Sequence, residues 1–259
     1  MNDPYLNARR YYAKWVGVDP ERLDEPGVMF TISAIRDEKP DGYSSAFPFF
    51  GLVRFKSVHI CIGETLAGTH ERSLRNVVNE LQNAGRNHTV EDLVSGMHRH
   101  GVPVKSSAIK FYLRSTEHAS YSDLALRLTR EHYHEFLSLY RAVWPAVDPS
   151  DWLQDYYENR LAKLGLAWGV FEDDIMVSAT DAGSIPYLSD VIVEPGIMTH
   201  PEYRKRGYAR LVCSSVLRHI LDLGLTPVWS CGMDNTASAR LAKCLGFAEF
   251  GRTIVLDAN

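Results

Sequence analysis

With 259 residues, 45% of them hydrophobic and 11% aromatic, the chain can bury a sizeable core as one large domain or two ordinary ones, which argues against a disordered or low-complexity polypeptide. Its 28 basic and 32 acidic residues leave a formal net charge of -4, so no global positive field gathers nucleic acid or acidic membrane, and any anion site must be local. Cys61, Cys213, Cys231 and Cys244 lack the close pairing of a zinc ribbon, a C-x-x-C redox motif or a disulfide framework.

The N-terminal stretch MNDPYLNARRYYAKW carries charge where a signal peptide needs an apolar run, and no run of about 18 apolar residues occurs anywhere. A reduced, soluble, cytoplasmic protein is the expectation.

Periodicity and punctuation predict a helix over roughly 3–16, strands near Val28–Ile35 and Phe50–Ile62, and then two helices. The second of these opens on TVED, with Thr89 and Asp92 at capping-box spacing, and ends near Gly101-Val102-Pro103. VPVKSSAIKFYL then reads as extended. The polar, aperiodic RSTEHAS (114–120) is the best linker, which places a soft boundary near residue 120.

Beyond it the pattern predicts a strand at Leu124–Leu128 and a helix from Thr129 to about Val143. A further helix is expected at DPSDW, with Asp148 as N-cap and Pro149 at the first helical position. Strands Ala167–Phe171 and Ile175–Ala182 flank the turn Glu172-Asp173-Asp174, and another strand spans about Leu188–Thr199.

Ala209, Val212, Val216, Ile220 and Leu223 define an apolar helix face that stops at Gly224. TPVWSC is a strand, NTASARLAKCLGF a helix opened by Asn235 and closed by Gly246, and Phe247–Leu256 a last strand or hairpin. The sum over 121–259 is β-α-α-β-β-β-α-β-α-β, a mixed α/β layer with a helix launched from the end of a central strand.

At that launch point, THPEYRKRGYARL sets Arg204, Lys205 and Arg206 against Gly207. The plainest reading is a solvated charge run. A helix N-terminus after a strand, however, presents unpaired backbone amides and about half a positive charge, while Gly207 admits close backbone approach and Ala209 keeps the next turn small. Neither G-x-x-x-x-G-K-[ST] nor G-x-G-x-x-G is present, which leaves a phosphate-bearing ligand held by a different glycine turn.

GIMTHPEYRKRGYARL, followed by a helix, by TPVWSC and by NTASARLAKCLGF, resembles the GNAT superfamily of acyl-CoA-dependent N-acyltransferases over roughly 120–259. The resemblance implies an α/β fold with a mixed sheet whose central strand is bulged and splays from its neighbour. It also implies that backbone groups of Ile197, Met198 and Thr199 pair with the pantetheine arm of acetyl-CoA. The amides of Arg204, Lys205, Arg206, Gly207, Tyr208 and Ala209 would then cradle its pyrophosphate, and Asn235 would contact it near the thiol. Residues 1–120 look like the divergent N-terminal region of two-part members, compatible with a degenerate copy of the same fold. They carry no R-x-x-G-x-A turn and are assigned no second cofactor.

The implied reaction is transfer of an acyl group, acetyl first among them, to a primary amine by direct attack in a ternary complex. An amine of pKa about 10 is mostly protonated at neutral pH, and reaching the nucleophilic form costs about 4 kcal/mol. Some base must take that proton. Glu194 leads because it precedes Pro195-Gly196 on the cofactor strand, where a bulge would aim it into the cleft; Asp190 and His200 are less well placed.

The tyrosine that protonates the departing thiolate in many family members falls at Ala242 here, and Cys231, Ser238 or a water is left to substitute. Tyr208 lies too near the phosphate turn for that role. For Cys231 the plainer reading is a small buried apolar residue.

Metal readings are weaker. HRH (98–100) and HYH (132–134) point to different helix faces, HEFLS has Ser138 where a second histidine is needed, and His59 with Cys61 makes only two ligands. The five tryptophans are most simply core or interface aromatics. The rival to an enzyme is a non-catalytic acyl-CoA-binding regulatory or sensor module. The expected partners are a small-molecule or peptide amine, with no nucleic acid and no membrane, and a homodimer is compatible with the sequence.

Overall fold

The structure, a computed structural model, describes residues 3–39, 45–85, 87–149, 152–182 and 187–256. Helix α1 (Pro4–Val16) begins where the Asp3 carboxylate accepts from the amides of Tyr5 and Leu6, and it stops at Gly17, whose φ of 66° reverses the chain. Strand β1 (Gly27–Ile32) follows. The extended stretch expected over Phe50–Ile62 is two strands, β2 (Phe49–Val53) and β3 (Ser57–Ile62), closed by the Arg54 amide donating to the Ser57 carbonyl at 2.8 Å. Helices α2 (Glu64–Asn83) and α3 (Val90–Arg99) come next, the second opened by the expected Thr89–Asp92 capping box, and β4 (Ser106–Leu113) ends this portion.

The later portion runs β5 (Leu126–Arg127), α4 (Tyr133–Val143), α5 (Leu153–Tyr156), β6 (Trp168–Glu172) and β7 (Ile175–Ala182). It then continues through β8 (Ile192–Val193), β9 (Pro195–Thr199), α6 (Tyr208–Asp222), β10 (Thr226–Gly232), α7 (Thr236–Cys244) and β11 (Phe247–Val255). α5 is described from Leu153 and runs on into a π-helical turn over Tyr157–Ala162; the start expected at DPSDW includes residues 150 and 151, which lie outside the described residues.

Two sheets result. The larger has the order β1-β3-β2-β11-β4-β10-β8, and the smaller β5-β6-β7-β9. The strand expected over Leu188–Thr199 is the hinge between them: β8 pairs parallel with β10 at Ile192–Thr226 and Val193–Pro227, whereas β9 pairs antiparallel with β7 from Ser178–Thr199 to Ala182–Pro195. The chain changes sheet at Glu194.

The expected boundary near residue 120 is not a break in the large sheet. β4, which precedes it, lies between β10 and β11 and pairs antiparallel with both.

Strand alternation divides the layers above and below the large sheet. Phe50, Leu52, Cys61 and Val228 face α1, while Phe49, Val58, Ile60 and Ile62 face α2 and α3, and Phe111 and Trp229 face α6 and α7. A separate core of Phe136, Tyr157, Ala167, Val177 and Val216 fills the space around the small sheet.

Candidate active site

The fork between β8 and β9 leaves one edge of β9 without a strand partner among the described residues. His200 donates its amide to the Val177 carbonyl at 2.9 Å, so by antiparallel alternation Met198 and Gly196 bond toward β7, and Ile197 and Thr199 present their backbone groups to the open side. Met198, expected to pair with a ligand arm, instead has its carbonyl accepting from Ser178 Oγ at 3.0 Å and its side chain in the core. Of the three residues singled out on this strand, Ile197 and Thr199 face the gap. Gly196 lies so close to β7 that a Cβ there would meet the Asp181 carbonyl oxygen at 2.2 Å.

At the far end of β9 stands the glycine turn. Lys205 has φ 65° and Gly207 φ 92°, and Gly207 is the N-cap of α6. The amides of Tyr208 and Ala209 after it have no intrahelical partner by helix geometry, whereas Arg210 donates its amide to the Gly207 carbonyl at 3.0 Å. A Cβ built on Gly207 meets no atom within 4 Å, so the space in front of the turn is open.

The three cations are not equivalent. Arg206 is tied to Glu172 at 3.2 Å and to the Glu202 carbonyl at 3.2 Å, and Tyr208 donates its hydroxyl to the same Glu172. Arg204 donates to the Thr199 carbonyl at 3.2 Å. Lys205 is exposed and in no ion pair among the described residues, which makes it the cation most available to an anion there.

At the apex of the fork, Glu194 accepts a hydrogen bond from Ser230 on β10 and lines a cavity of about 390 Å³. The floor is the large sheet beneath α1. Ser230 stands opposite Lys110, Thr253 opposite Ala108 and Val255 opposite Ser106, and these mostly small side chains leave the room that Tyr11 and Trp15 of α1 roof over. Trp15 is held by a stacked Phe50 at 4.6 Å and by the buried Arg36 guanidinium at 4.9 Å.

Asp181, which the sequence did not single out, shares this cavity with Glu194. It accepts the Tyr156 hydroxyl at 2.7 Å; burial holds its carboxyl above the ordinary range, against the pull of that hydrogen bond. Tyr156 sits one residue ahead of the π-helical turn. Burial, then the charge of Glu194, raises the Tyr12 hydroxyl well above its usual range, and that hydroxyl has no hydrogen-bond partner among the described residues.

Cys231 does not join Glu194. Side chains of adjacent residues on β10 point to opposite faces, so Ser230 faces the cavity and Cys231 the α6–α7 core, where burial raises its thiol pKa. Asn235 spends its Oδ1 capping α7 through the Ser238 amide at 3.0 Å, and Ser238 Oγ accepts from Trp229 Nε1 at 3.0 Å, which places both beside Cys231. Ala242 is fully buried in the same core. His200 accepts from the Glu202 amide at 3.4 Å, and neither it nor the exposed Asp190 lines the cavity.

Among the described residues no three His, Cys, Asp or Glu side chains cluster as a metal site, and no helix is long and apolar enough to cross a membrane.

A family model described as GNAT acetyltransferase matches residues 110–255, a span that begins inside β4. No curated protein sequence matches the chain. Among solved structures, a GCN5-related N-acetyltransferase from Sphaerobacter thermophilus is similar over 98% of this chain and 92% of its own, with TM-score 0.56 and 12% identity. An acetyltransferase of the GNAT family from Colwellia psychrerythraea is similar over 76% of this chain and 75% of its own, with TM-score 0.53 and 17% identity. A GNAT-family protein from Novosphingobium aromaticivorans shares 22% identity with TM-score 0.47 over 58% of this chain; the match spans 63% of that protein, under two thirds of its length. At these identities the likeness is one of fold.

Proposed function

Because the chain belongs to the GNAT acetyltransferase family, we propose that it transfers an acetyl group from acetyl-CoA to a primary amine by direct attack in a ternary complex. The observation that carries this reading is the change of sheet at Glu194, which places a carboxylate at the apex of an open strand edge that ends at the Gly207 turn.

The residues present fit the donor. The free edge of β9 offers both backbone groups of Ile197 and the amide of Thr199, whose carbonyl Arg204 occupies, along about 17 Å of strand, the length of five residues. Beyond it, the amides of Tyr208 and Ala209 and the open space at Gly207 suit a pyrophosphate, with Lys205 at the rim. Acetyl-CoA supplies an activated acyl carbon and a thiolate leaving group.

The protein's own part is positioning and proton handling. Glu194 accepts the proton of the attacking amine, directly or through one water, and Ser230 fixes the carboxylate that does so. Asp181 adds a second carboxylate to the same cavity and favours a cationic acceptor. With Ala242 buried and Cys231 turned into the α6–α7 core, Ser238 or solvent is left to protonate the leaving thiolate.

Calorimetry with acetyl-CoA tests the cofactor assignment: micromolar binding that is lost in Gly207→Asp supports it, and no binding ends it. Amine-stimulated thiol release tests the transfer. The buried Ala242 favours a second reading, a non-catalytic acyl-CoA sensor, and binding with no amine-stimulated release would select it.

A further inference from the structure

The cavity beneath α1 holds more than a base. Beside the carboxylates of Glu194 and Asp181, its polar lining includes Lys110, a half-buried cation on β4 that forms no ion pair among the described residues. Lys110 is the direct cross-strand neighbour of Ser230, which itself holds Glu194. Opposite charges therefore line one floor. Glu194 is fixed by Ser230 and Asp181 by Tyr156, whereas Lys110 is left for something that enters.

The opposite wall is apolar. Trp15 stacks on Phe50 at 4.6 Å and meets Phe47 edge-on at 5.3 Å, and all three line the cavity. The volume, about 390 Å³, lies in the range of small-molecule pockets.

We propose that the acceptor is a small zwitterionic amine, an α-amino acid with a flat apolar side chain. Its ammonium lies between Glu194 and Asp181, its carboxylate meets Lys110, and its side chain rests against Trp15, Phe47 and Phe50. The proposal rests on the acyl-transfer reading and names the substrate class for it. In the transfer, the ammonium first gives one proton to Glu194, the neutral amine nitrogen then bonds to the acyl carbon, the C–S bond breaks with its electron pair going to sulfur, and the second nitrogen proton passes to the departing thiolate through solvent. The product keeps its carboxylate on Lys110 and loses its positive charge, so the grip of Glu194 and Asp181 is released when the amide forms.

A simple arylalkylamine satisfies the two carboxylates and the aromatic wall but leaves the half-buried Lys110 without a counter-ion. A polyamine adds a second cation to a site that already holds one. A peptide N-terminus has no carboxylate beside its amine. The charge pattern selects the zwitterion against all three.

The matched pair phenylalanine and phenethylamine, which share ring and amine and differ in the carboxylate, tests this. Binding of each to protein saturated with CoA is measured by calorimetry, and kcat/KM for each with acetyl-CoA. Wild type is expected to favour phenylalanine by at least about 10-fold in both measurements, and Lys110→Met to bring that ratio to within about threefold, since one buried charge partner is removed. Acetyl-CoA affinity is the check that the variant is folded.

Equal binding of the two ligands by wild type, an unchanged ratio in Lys110→Met, or tighter binding of a peptide N-terminus or a polyamine would overturn the proposal. Selective phenylalanine binding without transfer would uphold it as a binding site and remove the transfer reading instead.

Discussion

Ser230 on β10 donates its hydroxyl to Oε1 of Glu194 at the point where the chain leaves the large sheet for the small one. A strand that changes partners cannot continue its ladder through the residue of the change. That residue's side chain is freed to enter the gap, and its geometry is restored by a bond to the strand it has just left.

Removing the base should therefore separate chemistry from cofactor binding. Glu194→Gln is expected to lower kcat by about 100-fold, as for a displaced general base, with acetyl-CoA affinity within about twofold of wild type. Ser230→Ala, which loosens the carboxylate without removing it, should cost under about tenfold. Equal turnover of Glu194→Gln and wild type across the pH range would take Glu194 out of the mechanism.

At Gly207 backbone strain and ligand repulsion can be told apart. With φ at 92° and no atom within 4 Å of a built Cβ, Gly207→Ala meets no steric contact and carries only the left-handed penalty, about 1–2 kcal/mol. A midpoint fall of a few degrees is expected. Gly207→Asp shares that fall and adds a carboxylate facing the cradle, so its acetyl-CoA affinity should drop at least about tenfold below that of the alanine variant. Equal affinities would mean that no anion sits there.

His59 makes the fold acid-sensitive. It is 1% exposed, its Nε2 lies 3.3 Å from the Leu23 carbonyl, and burial lowers its pKa from 6.5 to about 4. The unfolded chain binds a proton near pH 6.5 that the native state refuses until about pH 4. The stability that neutral His59 permits is complete above 6.5 and is lost as pH falls through that window, up to about 3 kcal/mol. Denaturant titrations at pH 7 and pH 4 should show this loss in wild type and a loss smaller by about that amount in His59→Gln. Parallel losses would assign the acid sensitivity elsewhere.

Restoring the tyrosine at position 242 should fail. Ala242 is fully buried beside Trp229, Leu245 and Phe247, and an added phenol ring overpacks that core. Ala242→Tyr is expected to destabilise the protein by about 1–3 kcal/mol or more and to give no gain in kcat. Faster turnover with an unchanged melting midpoint would show that the core opens to admit a proton donor.

What the sequence discloses is local. The helix face through Val212, Val216 and Ile220, the Asn235 cap and the Thr89–Asp92 box are present as expected, because each is written in residues three or four apart; Leu223, expected to end that face, lies past the end of α6 and is exposed. The cavity is not written that way. Lys110, Ser230 and Asp181 come from three strands and Glu194 from the link between β8 and β9, and only the registers of β4 with β10 and of β7 with β9 bring them together. Trp15 reads as an ordinary core aromatic until α1 is seen to roof the floor that Ser106 and Ala108 leave hollow. The stretch Leu188–Thr199 reads as one strand because its composition does not reveal that Val193 and Pro195 pair in different sheets.

The placement of β4 between β10 and β11 also sets a schedule for synthesis. A ribosome adding about 5–20 residues per second delivers β4 roughly ten seconds before the end of β11. For most of that interval both edges of β4 lack their partners, β10 arriving first and β11 last, and the floor of the cavity is incomplete until β11 is made. The nascent protein thus spends its elongation time with an adhesive strand in hand, and conditions that lengthen that wait, such as slow codons between β4 and β10 or scarce holdase, should cost yield before they cost activity.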